Sequence, residues 1–166
     1  LDPDKFFRTN YEGTKILLEE GYRAKVNRYH HVSTDEVWGA LSLDSKQRFN
    51  EDTLYAPRNK YAVSKAEADK LVRSFARETG FSVTISNSSN NFGRFQFPEK
   101  FIPLAITNII DGLSIPLYGD GQYVRDWISV EDHVEAIVQI LERGRRGETY
   151  VVGANNSDAA VTVDIR

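Results

Sequence analysis

Residues 28–36 have the sequence RYHHVSTDE, and this stretch decides the predicted fold. The segment from Arg28 to Ser33, rich in apolar and β-branched residues, is predicted to be a strand that runs into the polar segment Thr34-Asp35-Glu36. Apolar residues at helical spacing predict one helix before it, from about Phe6 to Tyr22, and another after it, from about Asn59 to Glu78. A strand between two helices is typical of α/β proteins.

Strands and helices are predicted to go on alternating downstream. Gly21 and Gly80 supply the predicted ends of the first two helices. Loops are expected over Ala40 to Arg58 and Asn87 to Lys100. The remaining predicted elements are a strand from Ser82 to Ser86, a helix from Phe101 to Ile110, two short strands (Ile115 to Tyr118 and Tyr123 to Ile128) around the turn Gly119-Asp120-Gly121, a helix from Val130 to Arg143, and a strand from Thr149 to Val152. This order predicts an α/β fold with a mainly parallel sheet.

Composition places the chain among globular proteins with an ordinary core. Its 166 residues fit one domain, and 40% of them are hydrophobic and 27% charged. The formal net charge of -3, with both signs interspersed, gives no reason to expect nucleic acid or an anionic membrane as a partner. No apolar run is long enough for a membrane span, and the absence of cysteine excludes disulfides and thiolate metal sites. We expect a cytoplasmic protein.

The clearest chemical pattern is Tyr61-Ala62-Val63-Ser64-Lys65 at the start of the second predicted helix. The spacing of four residues puts the phenol of Tyr61 and the ammonium of Lys65 on one helical face. A nearby cation favours phenolate, so we expect Lys65 to lower the pKa of Tyr61 and to make it a general base. The same spacing also occurs by chance on solvated helices, and that alternative stays open on the pair alone.

Two further polar segments follow predicted strands. Thr34-Asp35-Glu36 ends the strand of residues 28–33, where ligands bind in open α/β sheets, and its neighbouring carboxylates could serve as one acid and one base. Ser88-Ser89-Asn90-Asn91-Phe92-Gly93 follows the next strand, and its amides suit sugar hydroxyls or a carboxamide. A solvated acidic turn and an ordinary polar turn are the alternatives.

Cations and aromatic residues in the second half could bind a diphosphate and stack on a base. The candidates are Lys100 and Arg125, with Tyr118 and Trp127 beside them. Surface cations and core aromatics would give the same pattern. His30, His31 and His133 lack metal-ligand spacing, so we interpret them as structural and expect no metal site.

Taken together, these segments resemble the extended short-chain dehydrogenase/reductase superfamily, and within it the dTDP-glucose 4,6-dehydratases. The resemblance runs from Thr9-Asn10 to Gly153. It is carried by five segments in the expected order: HVSTDEV (31–37), Tyr61-x-x-x-Lys65, SNNFG (89–93), FPEKFIP (97–103) and YGDGQYVRDW (118–127). Epimerases of the superfamily usually lack the acid pair after the Ser or Thr, so residues 34–36 discriminate between reactions.

The resemblance implies a Rossmann-like fold, NAD as cofactor, a nucleotide-sugar such as dTDP-glucose as substrate, and a homodimer. By similarity Tyr61 deprotonates the C4 hydroxyl, Lys65 binds the nicotinamide ribose, Thr34 holds the same hydroxyl, Glu36 removes the C5 proton, and Asp35 protonates the departing C6 hydroxyl. Asn91 is implied in NAD binding. Substrate binding is implied for Thr34, Asn90, Lys100, Phe101, Pro116, Tyr118, Arg125 and Asn156.

The sequence departs from this family pattern in two places. Trp38 stands where the family usually has tyrosine, and we interpret it as a packing change. No glycine-rich turn for the cofactor phosphates precedes Tyr61, and the chain starts at Leu1 without any methionine, so we expect a fragment of a longer protein. Residues 1–90 would then be part of an NAD-binding domain, and residues 91–166 would supply substrate-binding elements. Another epimerase or decarboxylase of the superfamily, or an inactive nucleotide-sugar-binding module, remains the alternative.

Overall fold

The structure, a computed structural model, describes residues 3–117 and 119–154. Helices and strands alternate along most of it. In chain order they are α1 (Pro3–Phe7), a π-helical turn (Arg8–Glu12), α2 (Gly13–Arg23), β1 (Tyr29–Thr34), a 3₁₀ turn (Asp35–Trp38), α3 (Lys60–Thr79), β2 (Val83–Ser88), β3 (Asn90–Phe92), α4 (Phe101–Ile110), β4 (Trp127–Ser129), α5 (Val130–Arg143) and β5 (Thr149–Val152).

The main sheet has three parallel strands in the order β1-β2-β5. β2 is the central strand, and all six of its residues are buried. A second, smaller sheet pairs β3 with β4, and this pair is parallel as well. The predicted α/β class with a parallel sheet is therefore confirmed.

The first predicted helix is longer and less regular than its sequence suggests. Its α-helical parts, α1 and α2, are joined by the π-helical turn, and the helix continues past Gly21 to Arg23. The prediction that Gly21 ends it is wrong, because the helix runs on for two residues to Arg23. Gly21 lies inside the helix, where a Cβ would be in ordinary contact with Val26 and Phe81, at 3.4 Å from the valine methyl.

Helix α3 has the boundaries that its end signals predict. The Asn59 side chain caps it by accepting from the Ala62 backbone N–H at 2.8 Å. Gly80 ends it in the left-handed conformation, with φ of 73°. Both the helix and its glycine stop are confirmed.

The core between α2, α3 and the sheet is apolar at one end of the strands and polar at the other. Leu18, Val72, Phe81, Val83 and Ile85 form an apolar cluster at the amino end of β2. Towards the carboxyl ends of β1 and β2, the buried residues are polar instead: His31, Ser33, Ser64, Asp69 and Asn87. Buried polar groups must be paired to be tolerated, so this end of the core is where specific contacts are expected.

Three predicted boundaries are wrong. The loop predicted from Asn87 begins later, because β2 runs to Ser88, and it contains β3, which pairs with β4. No strand forms over residues 115–117, where Pro116 cannot donate to a ladder, while Tyr118 lies outside the described residues. The strand predicted from Tyr123 to Ile128 is shorter and lies later in the chain: residues 123–126 are irregular, and β4 covers only Trp127–Ser129. The loop over Ala40 to Arg58, by contrast, is confirmed.

Candidate active site

The segment Thr34-Asp35-Glu36 lies where strand β1 ends. Thr34 is extended, and its Oγ1 accepts a hydrogen bond from the Glu36 backbone N–H at 3.3 Å, so it caps the 3₁₀ turn that carries both acids. Burial, and to a smaller extent neighbouring Glu36, raises the pKa of Asp35 to about 6, although Arg125 and the Thr34 hydroxyl act in the opposite direction. A carboxyl group with such a pKa can still hold a proton near neutral pH, as a general acid must.

Glu36 is connected to the start of helix α3. Asn59 Nδ2 donates to Glu36 Oε2 at 2.9 Å, while its Oδ1 caps the helix. One amide thus orients the second carboxylate and begins the helix that carries Tyr61 and Lys65. The structure therefore brings the acid segment ending at Glu36 close to the Tyr61–Lys65 segment, although Glu36 and Tyr61 are 25 residues apart in the sequence.

The expectation that Lys65 lowers the pKa of Tyr61 is not met. Burial raises the pKa of Tyr61, and Glu36, Asp35 and Asp69 add to the increase. The Lys65 ammonium donates to the backbone carbonyl of Val32 at 2.7 Å, on strand β1. Burial and the carboxylates therefore outweigh the lysine, whose own pKa is lowered by burial.

Asp69 is a buried member of the site that the sequence reasoning missed. It lies four residues after Lys65 on α3 and has no exposed surface. Tyr55 Oη donates to its Oδ2 at 2.7 Å, and His31 Nε2 lies 3.3 Å from its Oδ1. Its spacing from Tyr61 and Lys65 puts it on their helical face, and that was the signal available in the sequence.

The histidines have structural contacts. His30 bridges the hydroxyls of Thr84 and Ser86 on β2, at 2.9 and 3.0 Å. Within residues 3–117 and 119–154, no cluster of His, Asp and Glu side chains could hold a metal ion.

Asn91 is held by the third histidine, His133. Asn91 Nδ2 donates to the Ser89 carbonyl at 3.0 Å, so its Oδ1 must be the acceptor that faces His133 Nδ1 at 2.7 Å. His133 Nδ1 is therefore the protonated nitrogen, which agrees with a pKa lowered by burial. Asn90, next to it, donates its backbone N–H to the Asp126 carbonyl at 3.1 Å.

The predicted substrate-binding residues are only partly brought to the acid pair. Arg125 lies close enough to lower the pKa of Asp35, and its guanidinium also lies over the Tyr123 ring at 5.5 Å. Lys100 is exposed just before α4, Phe101 packs against Trp127 at 6.3 Å between ring centroids, and Pro116 lies in the irregular segment before position 118. Tyr118 and Asn156 lie outside the described residues.

A cavity of about 840 Å³ opens beside the acid pair. Asp35, Glu36 and Arg125 line it, together with most of the loop from Gly39 to Glu51. Tyr61 and Lys65 do not line it, so the acid pair and Arg125 are the parts of the predicted site that face this space. Trp38 lines it too and packs on Phe49, with 5.5 Å between ring centroids, in line with a packing role.

Comparisons with known proteins agree with this geometry. The model of the NAD dependent epimerase/dehydratase family matches residues 1–153. A dTDP-glucose 4,6-dehydratase of Mycolicibacterium smegmatis is 50% identical over 162 residues, which are 98% of this chain and 49% of that protein. The chain therefore spans about half the length of the curated relatives it matches.

Solved structures show the same fold. A dTDP-glucose 4,6-dehydratase from Bacillus anthracis in complex with NAD has a TM-score of 0.87 and 43% identity, over 93% of this chain and 49% of that one. A UDP-glucuronic acid 4-epimerase from Bacillus cereus, in complex with UDP-glucuronic acid and NAD, has a TM-score of 0.81 at only 25% identity, over 89% and 46%. These similarities confirm the Rossmann-like class. None of the helices in the described ranges is both long and apolar enough to cross a membrane.

Proposed function

The chain belongs to the NAD-dependent epimerase/dehydratase family, and on this basis we propose that the protein is a dTDP-glucose 4,6-dehydratase. The observation that carries the proposal is the acid pair Asp35-Glu36, which is coupled electrostatically to Tyr61 and opens to a cavity. An epimerase needs only a proton and a hydride moved at C4. A dehydratase also needs an acid and a base for C6 and C5, and this pair supplies both.

NAD fits the donors that this chain offers. The Lys65 ammonium has three N–H groups and uses one for the Val32 carbonyl, so others remain for ribose hydroxyls. We propose that Tyr61, Lys65 and Asn91 bind NAD, with Asn91 oriented by His133. When bound, NAD would accept the hydride from C4 of the sugar and return it to C6.

Tyr61 and Thr34 would act at the C4 hydroxyl. Thr34 would hold the hydroxyl through its Oγ1, and Tyr61 would take its proton as C4 is oxidised to a ketone. Burial and the carboxylates raise the pKa of Tyr61. Because Lys65 does not lower that pKa in this structure, we assign Lys65 to the ribose hydroxyls of NAD.

Glu36 and Asp35 would remove water across C5 and C6. The new ketone acidifies the C5 hydrogen, and Glu36 would take that proton. Asp35 would give its own proton to the departing C6 hydroxyl, so that one water leaves and a double bond forms between C5 and C6. Hydride return to C6, with return of the proton from Glu36 to C5, would then give the 4-keto-6-deoxy sugar. The raised pKa of Asp35, about 6, supports its assignment as the acid.

The nucleotide-sugar would be bound by residues from both sheets and from α4. We assign this role to Thr34, Asn90, Lys100, Phe101, Pro116, Tyr118, Arg125 and Asn156. Arg125 has the best support, because it lines the cavity beside Asp35. Residues 1–90 would belong to the NAD-binding domain, and residues 91–166 would supply substrate-binding elements.

We also propose a cytoplasmic homodimer. Ile16 and Leu17 of α2 are 58% and 61% exposed, and a second copy packed on α2 and α3 would cover them. Light scattering would test the dimer, and cell fractionation would test the location.

The decisive assay incubates the protein, as the cell makes it, with dTDP-glucose and NAD. We expect a 4-keto-6-deoxy product, seen by its keto absorbance in alkali and by mass loss of one water. UDP-glucose and UDP-glucuronic acid serve as comparison substrates. Epimerisation without water loss, or release of CO₂, would contradict the proposal.

Glu36→Gln tests the base assignment. Glutamine can still accept the hydrogen bond from Asn59 but cannot take a proton, so we expect turnover to fall by about 10²- to 10⁴-fold. Loss of solvent deuterium uptake at C5 would accompany it. Glu67→Gln, on the solvent side of α3 where Glu67 pairs with Lys70, is the matched control and should keep its activity. Normal turnover in Glu36→Gln would remove Glu36 from the base role.

A further inference from the structure

The side-chain amide of Asn87 joins helix α3 to the end of strand β1. Its Nδ2 donates to Asp69 Oδ2 at 3.0 Å and to the backbone carbonyl of Thr34, also at 3.0 Å. Asn87 and Asp69 have no exposed surface. Since α3 carries Tyr61 and Lys65 and β1 ends in Thr34, this amide connects the two halves of the proposed site.

The orientation of this amide is fixed by what surrounds it. A backbone carbonyl can only accept. Burial alone would raise the pKa of Asp69, but the neighbouring His31, Ser33 and Asn87 side chains lower it, so Asp69 is a carboxylate and accepts as well. The NH₂ group must therefore face both partners.

This orientation has a cost. Asn87 Oδ1 is buried and has no hydrogen-bond partner among the described residues. An unpaired buried acceptor is unfavourable, and an apolar side chain of similar size would avoid it. What the amide contributes in return is its two N–H contacts, to Asp69 and to Thr34.

Asp69 is a firm anchor for this link. Tyr55 donates to the same Oδ2 at 2.7 Å, and His31 lies against the other oxygen at 3.3 Å. The carboxylate is thus held from the loop before α3 and from β1, and it has little freedom to follow a displaced Asn87. Movement of Thr34 relative to α3 would have to break one of the Asn87 contacts.

We propose that Asn87 is a positioning residue, whose NH₂ group fixes the spacing between Thr34 and the helix of Tyr61 and Lys65. The inference rests on the proposed function, in which Thr34 and Tyr61 act on the same hydroxyl. Catalysis depends steeply on such spacing, and a misplacement of about 1 Å can cost about 100-fold in rate. Asn87 itself need not touch the substrate.

The first test is Asn87→Leu, which keeps the size of the side chain and removes both contacts. We expect kcat per folded molecule to fall about 10- to 100-fold, while KM for dTDP-glucose changes little. Tyr55→Phe is the matched control, because it removes a hydrogen bond from the same Asp69 oxygen but leaves the Thr34 contact. Its kcat should fall much less than that of Asn87→Leu, because His31 and Asn87 still contact Asp69 and the Thr34 contact is intact. Equal losses in the two variants, or an unchanged kcat in Asn87→Leu, would overturn the proposal.

Exchanging the residue types at positions 69 and 87 distinguishes a loss of positioning from a loss of folding. Asn87→Asp alone turns a carboxylate towards Asp69 and should lower the unfolding midpoint. Adding Asp69→Asn restores a hydrogen bond between positions 69 and 87, but the new carboxylate at position 87 cannot donate to Thr34. The double variant should therefore regain stability and keep a low kcat. Recovery of the wild-type kcat would show that the Thr34 contact is dispensable and would refute the inference.

A measurement without turnover separates this inference from the proposed function. In backbone NMR spectra of the unliganded protein, Asn87→Leu should shift the amide signals of Glu36, which Thr34 caps, and of Tyr61. Tyr55→Phe should leave the Glu36 signal in place. If the wild type makes no 4-keto-6-deoxy product, the proposed function fails, while shifted Glu36 and Tyr61 signals still support the positioning role. An unmoved Glu36 signal in Asn87→Leu rejects it in either case.

Discussion

Asp35 combines a catalytic assignment with a cost to stability. Its pKa rises from 3.8 in the unfolded reference to about 6 in the fold, because burial disfavours its charged form. The folded state therefore binds more protons than the unfolded state between these pH values. Stability falls as the pH rises through this window, since ionised Asp35 is poorly accommodated.

Asp35→Asn should remove this cost. We expect the variant to be more stable than the wild type by about 1–3 kcal/mol at pH 8, and equally stable near pH 3.5, where Asp35 is largely neutral in both states. Urea unfolding at the two pH values measures the difference. Asp44→Asn, on the exposed loop after the site, is the control and should show no comparable gain. A pH-independent effect of Asp35→Asn would contradict the burial argument.

At the scale of single residues, the sequence indicated which side chains belong to the candidate site but not which side chains they contact. The order of Thr34, Asp35, Glu36, Tyr61 and Lys65 indicates acid–base chemistry, because few other arrangements place these groups after a strand and on one helical face. The contact of Asn87 with Asp69 and Thr34 could not be predicted, since it depends on how α3 lies across β1 and β2. The predicted effect of Lys65 on the pKa of Tyr61 is wrong for the same reason: spacing along a helix does not reveal burial or the carboxylates opposite.

Among the elements, helix α3 begins at a side chain, Asn59, that makes two separate contacts. Asn59 caps the helix with its oxygen and holds Glu36 with its nitrogen. Asn59→Asp should keep the helix cap and remove the contact with Glu36. A carboxylate still caps a helix, but it cannot donate to Glu36 and it repels it.

We therefore expect Asn59→Asp to change the thermal unfolding midpoint little, because the stronger interaction of a charged cap with the helix dipole offsets the repulsion from Glu36. Its turnover should fall several-fold. Asn59→Ala should lose both, with a stability cost of about 1 kcal/mol. Calorimetry and the dehydration assay measure the two effects. Wild-type turnover in Asn59→Asp would show that the contact with Glu36 has no role.

Elements with end signals were predictable, and short strands were not. α3 lies between an Asn cap and a left-handed glycine, and α4 and α5 have the predicted bounds. β3 escaped prediction because Asn90-Asn91-Phe92 has a turn-like composition, and its strand geometry comes from pairing with Trp127–Ser129. The opposite error at residues 115–117 has the same cause, since β-favouring residues form no strand without a neighbour to pair with.

At the scale of the whole molecule, Arg28 connects distant parts of the chain. Its guanidinium donates to the carbonyls of Ile140 and Leu141 in the last turn of α5, the former at 2.9 Å. A cation there gives the last carbonyls of the helix an additional partner, although the Ile140 carbonyl also accepts from the Gly144 backbone N–H, and it complements the helix dipole. The start of β1 is thereby fixed to the end of α5.

Arg28→Ala should lower the free energy of unfolding by about 1–2 kcal/mol and speed amide hydrogen exchange in the last turn of α5. Arg23→Ala is the control, because it removes only an exposed pair with Glu20, worth about 0.2–0.5 kcal/mol. Equal effects of the two substitutions would show that Arg28 does not hold α5.

The class of fold was accessible from the sequence because alternating strands and helices leave few arrangements other than a parallel sheet. The division at residue 90 stays a prediction. β2 and β5 pair across it in one sheet, so the second half contributes to the main sheet as well as to the binding elements.

The π-helical turn at Arg8–Glu12 holds one more residue than an α-helical turn would, because its bonding runs from i to i+5. The additional residue is absorbed within that turn, so the helices on either side face nearly the same directions as they would without it. Deleting one residue there, with a return to α-helical bonding, would therefore leave Phe6 against the Tyr61 ring, which it meets edge-on at 5.9 Å. Regularising the turn to α-helix without a deletion would instead rotate everything upstream by about 100° and separate the two rings. The bonding pattern of this one turn thus decides whether Phe6 covers the proposed catalytic tyrosine.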